Sequence, residues 1–486
     1  MKHHLDWSSY ETAGQGDAYA GIPATGGDFA RAVAVCIGDR LCQRTPKGVM
    51  CPSFRVSGEI AHSPGARVLA LKAALNGELG AAPFADARLA EAMELCVGCK
   101  GCKRECANQV DMAAIKIEWQ AQRNAALGVS RRDQLFAGLP RLLHRRPWLG
   151  ALIGWRNRSP LLAQLGERWL GVAASRQLPQ PAARPYLPPA IAPVLGERSV
   201  FLLVDTFAGL FQPHIAMAAQ AVLHAAGYQV HVLRPLADDA EPARPLCCGR
   251  TYLSLGQVDA AREDARRLNA ALAPAMASGA PIVGLEPSCI LSLRDDHLKL
   301  GLGEDARQVA RQVFLFEEFI AREHDRKRLR WQLKPWTQPP MLVHGHCHQK
   351  AVGAMKSLRK VLRLIPGCQF ELSTPAVAAW PAALAWTPST PIFRAPWPNW
   401  ICCRHCAPRP TRRCWPMAFP AVIRSKKAVA ARPGILPSGW LRPWLRQSHC
   451  PSRPTVKAAN KTLLALLRDL AVLAALSAHA WPGPLY

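Results

Sequence analysis

The chain has 486 residues, more than one hydrophobic core usually organises, so two or more domains are expected and burial is not limiting. Its net charge of +27 would ordinarily suggest nucleic acid or an anionic surface, but positions 374–486 hold 15 Lys or Arg against the single acid Asp469. Positions 1–373 carry 46 basic and 33 acidic side chains, with the excess concentrated between Arg131 and Arg184, where it either steers an acidic redox partner or forms a solvated face. The N-terminal MKHHLDWSSYETAGQGD has no apolar h-region, and the most apolar stretch, LLALLRDLAVLAAL, is interrupted by Arg468 and Asp469. A cytoplasmic protein without a transmembrane span is expected, which leaves peripheral association with the cytoplasmic side of a membrane open.

Positions 1–30 are Gly-rich and polar without sustained periodicity, and read as a loose leader or the scar of a missing upstream domain. A helix is expected to start near Asp28. Positions 31–130 read as a compact helical domain of short helices around cysteine-bearing loops, since ARVLALKAAL and ADARLAEAMEL both repeat apolar residues at helical spacing. Positions 131–195 read as a basic helical segment followed by a linker, ASRQLPQPAARPYLPPAIAP, whose prolines exclude regular structure. Positions 196–373 then alternate: SVFLLVDTF is an apolar strand, PHIAMAAQAVLHAAG a helix with a Gly stop, and YQVHVLRP a second strand. This is the signature of an α/β domain with parallel strands, so the fold class expected overall is α + α/β. PIVGLEP and PMLVHGHC read as further strands whose C-terminal ends carry Cys289, His346 and Cys347, where open α/β sheets place their chemistry.

Seventeen cysteines without a secretion signal argue for metal or redox work over disulfides. The segment CVGCKGCKRECA sets Cys96, Cys99, Cys102 and Cys106 at the spacing CxxCxxCxxxC. Two-residue gaps let three thiolates of one turn face three irons of a [4Fe-4S] cubane, while the fourth cysteine ligates the other cluster in two-cluster proteins. A zinc site normally pairs two separated CxxC units, or Cys with His. Cys36, Cys42 and Cys51 form a second set, with Asp39 where a further cysteine would complete a triplet. If the ligands cross over, Cys51 completes the cluster of Cys96, Cys99 and Cys102, and Cys106 joins Cys36 and Cys42. One iron is then left to Asp39, to water or to nothing, so the second site holds a cubane, a 3Fe-4S cluster or a labile one. The adjacent Cys247 and Cys248, with Cys289 and Cys347, are candidates for a third redox or metal site. His344, His346 and His348 alternate, and are either a solvent-exposed cluster or a functional one.

Together GVMCPSFRV, LCVGCKGCKRECANQVDMAAIK, RPLCCGRTYLS, GLEPSC and HGHCHQKAVGAM resemble the iron-sulfur oxidoreductases related to the glycolate oxidase iron-sulfur subunit, and the iron-sulfur region fused behind the flavin domain of FAD-linked D-2-hydroxy acid oxidases. The resemblance covers roughly positions 32–373. It implies a helical two-cluster ferredoxin-like domain followed by cysteine-rich modules each built around a CCG motif. It also implies electron relay from a reduced flavin, as in oxidation of glycolate, lactate or 2-hydroxyglutarate, to a quinone, a cytochrome or another acceptor. The FAD is expected on a partner subunit or a missing domain. Two readings of other classes are a heterodisulfide-reductase-like thiol/disulfide subunit and a zinc-stabilised nucleic-acid-binding protein; no interleaved basic and aromatic pattern supports the second, so no nucleic-acid partner is expected.

A second CCG would be expected just after Ser373, where TPAVAAWPAALAW stands. Positions 374–486 hold 17 of the 42 prolines and 8 of the 15 tryptophans, with almost no amphipathic period, and are expected to be an out-of-frame, disordered translation. Read from the third base of a permitted back-translation, Thr374–Ala385 encodes SSCCGMAGSFG and Trp415–Ile423 permits ADGFSCRHQ. The run at Cys402, Cys403 and Cys406 is then no metal site. Sequencing the gene and its transcript across codon 373 is expected to reveal a frame change; an intact frame in both would refute this reading.

Overall fold

The computed structural model describes residues 1–17, 21–44, 48, 50–186 and 195–372. The stretch read as out of frame, including Cys402, Cys403 and Cys406, lies outside the described residues.

The N-terminal part is helical. Three of its helices start where the sequence supplies a side-chain oxygen for their first free amides. Ser63 caps Pro64–Leu75, Asp86 caps Ala87–Glu94 and Asp111 caps Met112–Leu127. The helix expected near Asp28 runs Gly27–Ala34 with Asp28 in its first turn. Phe29, Val33, Leu71, Leu75, Met93, Ile115 and Trp119 form its core.

Residues 4–10 differ from the loose leader expected of positions 1–30. Leu5 and Trp7 are buried in this same core. The cause is Glu118, whose fully buried carboxylate accepts the amides of His4 (3.0 Å) and Leu5 (2.8 Å) and the Trp7 indole N–H (3.1 Å). Lys299 lies over the Trp7 and Tyr10 rings, which seals the segment from outside.

The second part is a four-stranded parallel sheet in the order β2-β1-β3-β4: β1 Ser199–Leu203, β2 Gln229–Val232, β3 Ile282–Gly284 and β4 Val313–Leu315. All five β1 residues are buried, as an apolar run covered on both faces requires. A separate parallel pair joins β5 Met341–Val343 to β6 Phe370–Leu372. The protein is thus helix-rich with a small parallel sheet, consistent with α + α/β.

Between the two parts, helices Leu149–Arg158 and Pro160–Leu170 pack side by side and leave Trp148, Trp155, Leu161 and Trp169 exposed. The described portion of the proline-rich stretch is tied down: Leu178 packs against the second core, and the Ala182 and Tyr186 amides donate to the Leu210 and Gly209 carbonyls. The two parts also share a core, in which Tyr252, Leu253, Val258 and Leu300 pack with the helical residues.

Glu118→Ala is expected to cost about 2–4 kcal/mol in urea unfolding, since it strands a set of donors held by one buried carboxylate, and to open residues 4–10 to proteolysis. Unchanged stability would mean that the amides find equivalent partners.

Candidate functional site

The loop between helices Ala87–Glu94 and Gly101–Glu105 carries Cys96 and Cys99; Cys102 lies within the second helix and Cys106 caps its end. Cys51 stands immediately before helix Pro52–Ser57. Cys51 (φ 45°) and Lys100 (φ 59°) both adopt the left-handed conformation, unfavourable for residues with a Cβ. Proline at the first position of its helix turns the chain at Cys51, and the Glu105 carboxylate anchors the approach by accepting the Met50 amide at 2.8 Å. Cys51, Cys96, Cys99 and Cys102 are all buried. Burial holds the Cys102 thiol well above its ordinary pKa, and Cys99, Cys51 and Cys96 push it further up. Cys99 is raised by burial, then by Cys347, with Cys96 and Cys51 adding. Cys51, Cys96 and Cys102 lie in one core cluster, while Cys99 packs against Cys347 at its edge.

Arg67 closes this group from below. It is 1% exposed and donates through Nη1 to Cys51 Sγ (3.3 Å), through Nη2 to Ser53 Oγ (2.9 Å) and through Nε to the Ala92 carbonyl (2.7 Å). Its partners include no carboxylate, and the groups that favour its charge are Cys51, Cys96 and Cys102.

A second group lies nearer the surface. Cys36, Cys42 and Cys106 are half-buried. Burial raises the Cys36 thiol, with Cys106 and Asp39 adding to the rise and Lys72 opposing it. Cys42 is raised by burial and then by Cys36, Cys51 and Asp39. Asp39 is exposed, but its charge reaches both thiols. Among the described residues, no three His, Cys, Asp or Glu side chains stand close enough to share one metal ion.

The third set surrounds the C-terminal ends of β1, β3 and β5. Cys247 and Cys248 precede Gly249, whose φ of 74° and a would-be Cβ 2.6 Å from the Ala261 carbonyl oxygen leave no room for a side chain. Cys247, Cys248 and Cys289 are buried; the hydrogen bond with Cys248 and burial push the Cys247 thiol well up, while Cys248, lowered by that same bond, is still held well above its ordinary value by Cys289 and by burial. Cys347 begins helix Cys347–Val352 and packs against Cys99. Burial raises its thiol to about 11. The histidine alternation is not a strand face, because β5 stops at Val343; His344, His346 and His348 are nonetheless all buried, contrary to a solvent-exposed cluster. His346 Nδ1 accepts the His348 amide at 3.1 Å and its Nε2 lies 3.9 Å from Glu286, while His348 Nε2 lies 3.1 Å from the Gly98 carbonyl, one residue from Cys99.

Alternating charges lock the cysteine loop onto the second part. Arg250 pairs with Asp296, Asp296 with Lys100 (2.8 Å), Lys100 with Asp295 (2.8 Å), Asp295 with Lys103 (2.6 Å), Lys103 with Asp111 (3.1 Å) and Asp111 with Lys299 (2.9 Å). The paired cations hold the Asp295 carboxyl well below its usual range despite burial.

Comparison with known proteins adds one relative. The chain is 25% identical over 323 residues to a D-2-hydroxyglutarate dehydrogenase of Pseudomonas putida, covering 56% of this chain and 30% of that enzyme. It is thus distantly similar to a 2-hydroxy acid dehydrogenase, less than a third of whose length it spans. No family model matches the chain, and no solved structure matches it.

Several residues of these sites carry no cysteine signal. Arg67 was legible as the one charge on the stripe Pro64, Arg67, Val68, Leu71, Ala74, Leu75 of its helix. Glu286 and Asp205 follow strands β3 and β1 and cap the helices after them; both carboxyls are raised by burial, Glu286 also by Asp205, to about 8. Unfolded, Glu286 titrates near 4.5. Between those values the folded protein holds a proton that the unfolded chain has released, so stability falls as pH rises, by roughly 1.4 kcal/mol per pH unit. Glu286→Gln is expected to flatten this decline in the metal-free protein, its advantage over the parent growing from about pH 5 to about pH 8. Parallel unfolding curves at both pH values would contradict the assignment.

Proposed function

We propose that this chain is an iron-sulfur electron-transfer protein: the relay subunit or domain that takes electrons from a reduced flavin, generated by 2-hydroxy acid oxidation, toward a quinone, cytochrome or other acceptor. The observation that supports this is a buried guanidinium, Arg67, that shares a core with Cys51, Cys96 and Cys102, donates to the Cys51 sulfur and, among the described residues, makes no hydrogen bond to a carboxylate. A withdrawn charge of this kind needs a negative counterpart. A cluster held by four thiolates supplies one, taking each thiolate on a separate iron. Cys51, Cys96, Cys99 and Cys102 would hold one [4Fe-4S] cluster, and Cys36, Cys42 and Cys106 the other, with Asp39 or water the candidate for the remaining iron. When bound, each cluster supplies one-electron storage.

What the chain's own residues do is enclose, orient and connect. Burial excludes water from the inner thiols, Glu105 ties the Cys51 loop to the Cys106 helix, and the chain of ion pairs fixes the CxxCxxC loop against Cys347 and the β5 end. The similarity to a D-2-hydroxyglutarate dehydrogenase supports a 2-hydroxy acid as the distal electron source, with FAD on a partner subunit or domain. Among the described residues no helix is long and apolar enough to cross a membrane.

The hydrogen-bonded series Cys247, Cys248, Cys289 favours a second reading, in which this site performs thiol/disulfide redox chemistry of the heterodisulfide-reductase kind. Reoxidation of the dithionite-reduced chain by a heterodisulfide would favour it, and inertness would leave the relay.

Anaerobically purified protein is expected to contain about seven or eight irons with matching sulfide, Cys99→Ser and Cys106→Ser each removing roughly half. Zinc without sulfide would overturn the proposal.

A further inference from the structure

The two cysteine groups differ sharply in the charges that face them. Around Cys51, Cys96, Cys99 and Cys102 stand Arg67, fully enclosed, and Lys116, whose ammonium donates to the Cys96 and Glu94 carbonyls. Around Cys36, Cys42 and Cys106 stand the half-buried Lys72, which donates to the Cys36 carbonyl at 3.3 Å, opposed by the carboxylates of Asp39 and of Glu105, the residue before Cys106. Adding an electron to a thiolate-held cluster adds negative charge, and a cation in a water-excluded site stabilises that charge far more than one in solvent.

We propose that Arg67 is the buried counter-cation of the inner cluster and sets its reduction potential above that of the outer one. The inference rests on the iron-sulfur reading. Arg67 is a positioning residue: it donates to a ligand sulfur and touches no substrate. Its consequence is a direction. With both clusters bound, an electron on the outer one would run downhill to the inner one, whose Cys99 packs against Cys347 and whose loop carbonyl at Gly98 lies against His348.

The test is a potentiometric titration of the full chain followed by EPR, for the parent, Arg67→Lys and Arg67→Gln, with iron and sulfide measured on each sample. The parent is expected to show two resolved potentials. Arg67→Gln should lower the upper one and leave the lower unchanged, and Arg67→Lys should restore most of the shift. Two unshifted potentials in a fully loaded Arg67→Gln protein would overturn the proposal, as would equal lowering of both. A parent without iron and sulfide defeats the underlying reading instead, and is recognised by analysis before any titration. Should Arg67→Gln fail to load, Arg67→Met decides by thermal unfolding: the metal-free variant is expected to match or exceed the metal-free parent, because the uncompensated buried charge is gone, while cluster retention falls. Equal destabilisation with and without iron would mark Arg67 as structural only and overturn the proposal.

Discussion

A guanidinium withdrawn from water is stable only against negative charge, and at Arg67 the surroundings offer a hydroxyl, a carbonyl and sulfur. That constraint organises the helical part of the molecule. The helix Pro64–Leu75 presents Arg67 on the stripe that otherwise carries Val68 and Leu71, so it cannot bury its apolar face without carrying the cation inward. The loops bearing Cys51, Cys96 and Cys102 then close over it, two of their residues in a backbone conformation that only strong local fixation sustains. Thiols alone compensate the charge poorly; thiolates bound to iron compensate it well.

The same logic extends across the boundary between the two parts. Seven charges alternate in sign from Arg250 to Lys299, and a shared core packs behind them. Ion pairs among buried groups contribute little net stability, but they penalise every misregistered arrangement because each would leave a charge unpaired. The contact of Cys99 with Cys347 is thereby held in one arrangement. The N-terminal segment belongs to this construction as well, since Glu118 and Lys299 hold it from opposite sides.

Much of this was legible before the fold was known. The cysteine spacing singled out the candidate ligands, and the apolar runs announced β1 and β3. Less legible were residues whose meaning is set by tertiary contact. Glu118 lies in an ordinary amphipathic helix and becomes a clamp only when residues 4–7 fold onto it, which is why a polar, Gly-rich start read as a leader. The histidine alternation suggested a strand, but β5 is three residues long and the helix at Cys347 begins at once, so the rings are buried by capping and packing. Asp295 and Asp296 were invisible for a similar reason: their partners lie nearly two hundred positions away.

Two clusters held by the two thiol groups within reach of each other would couple magnetically, and the EPR spectrum of the anaerobically reduced chain reads that coupling. Two signals broadened by mutual magnetic coupling are predicted; a silent spectrum from a colourless, zinc-loaded protein would contradict the account.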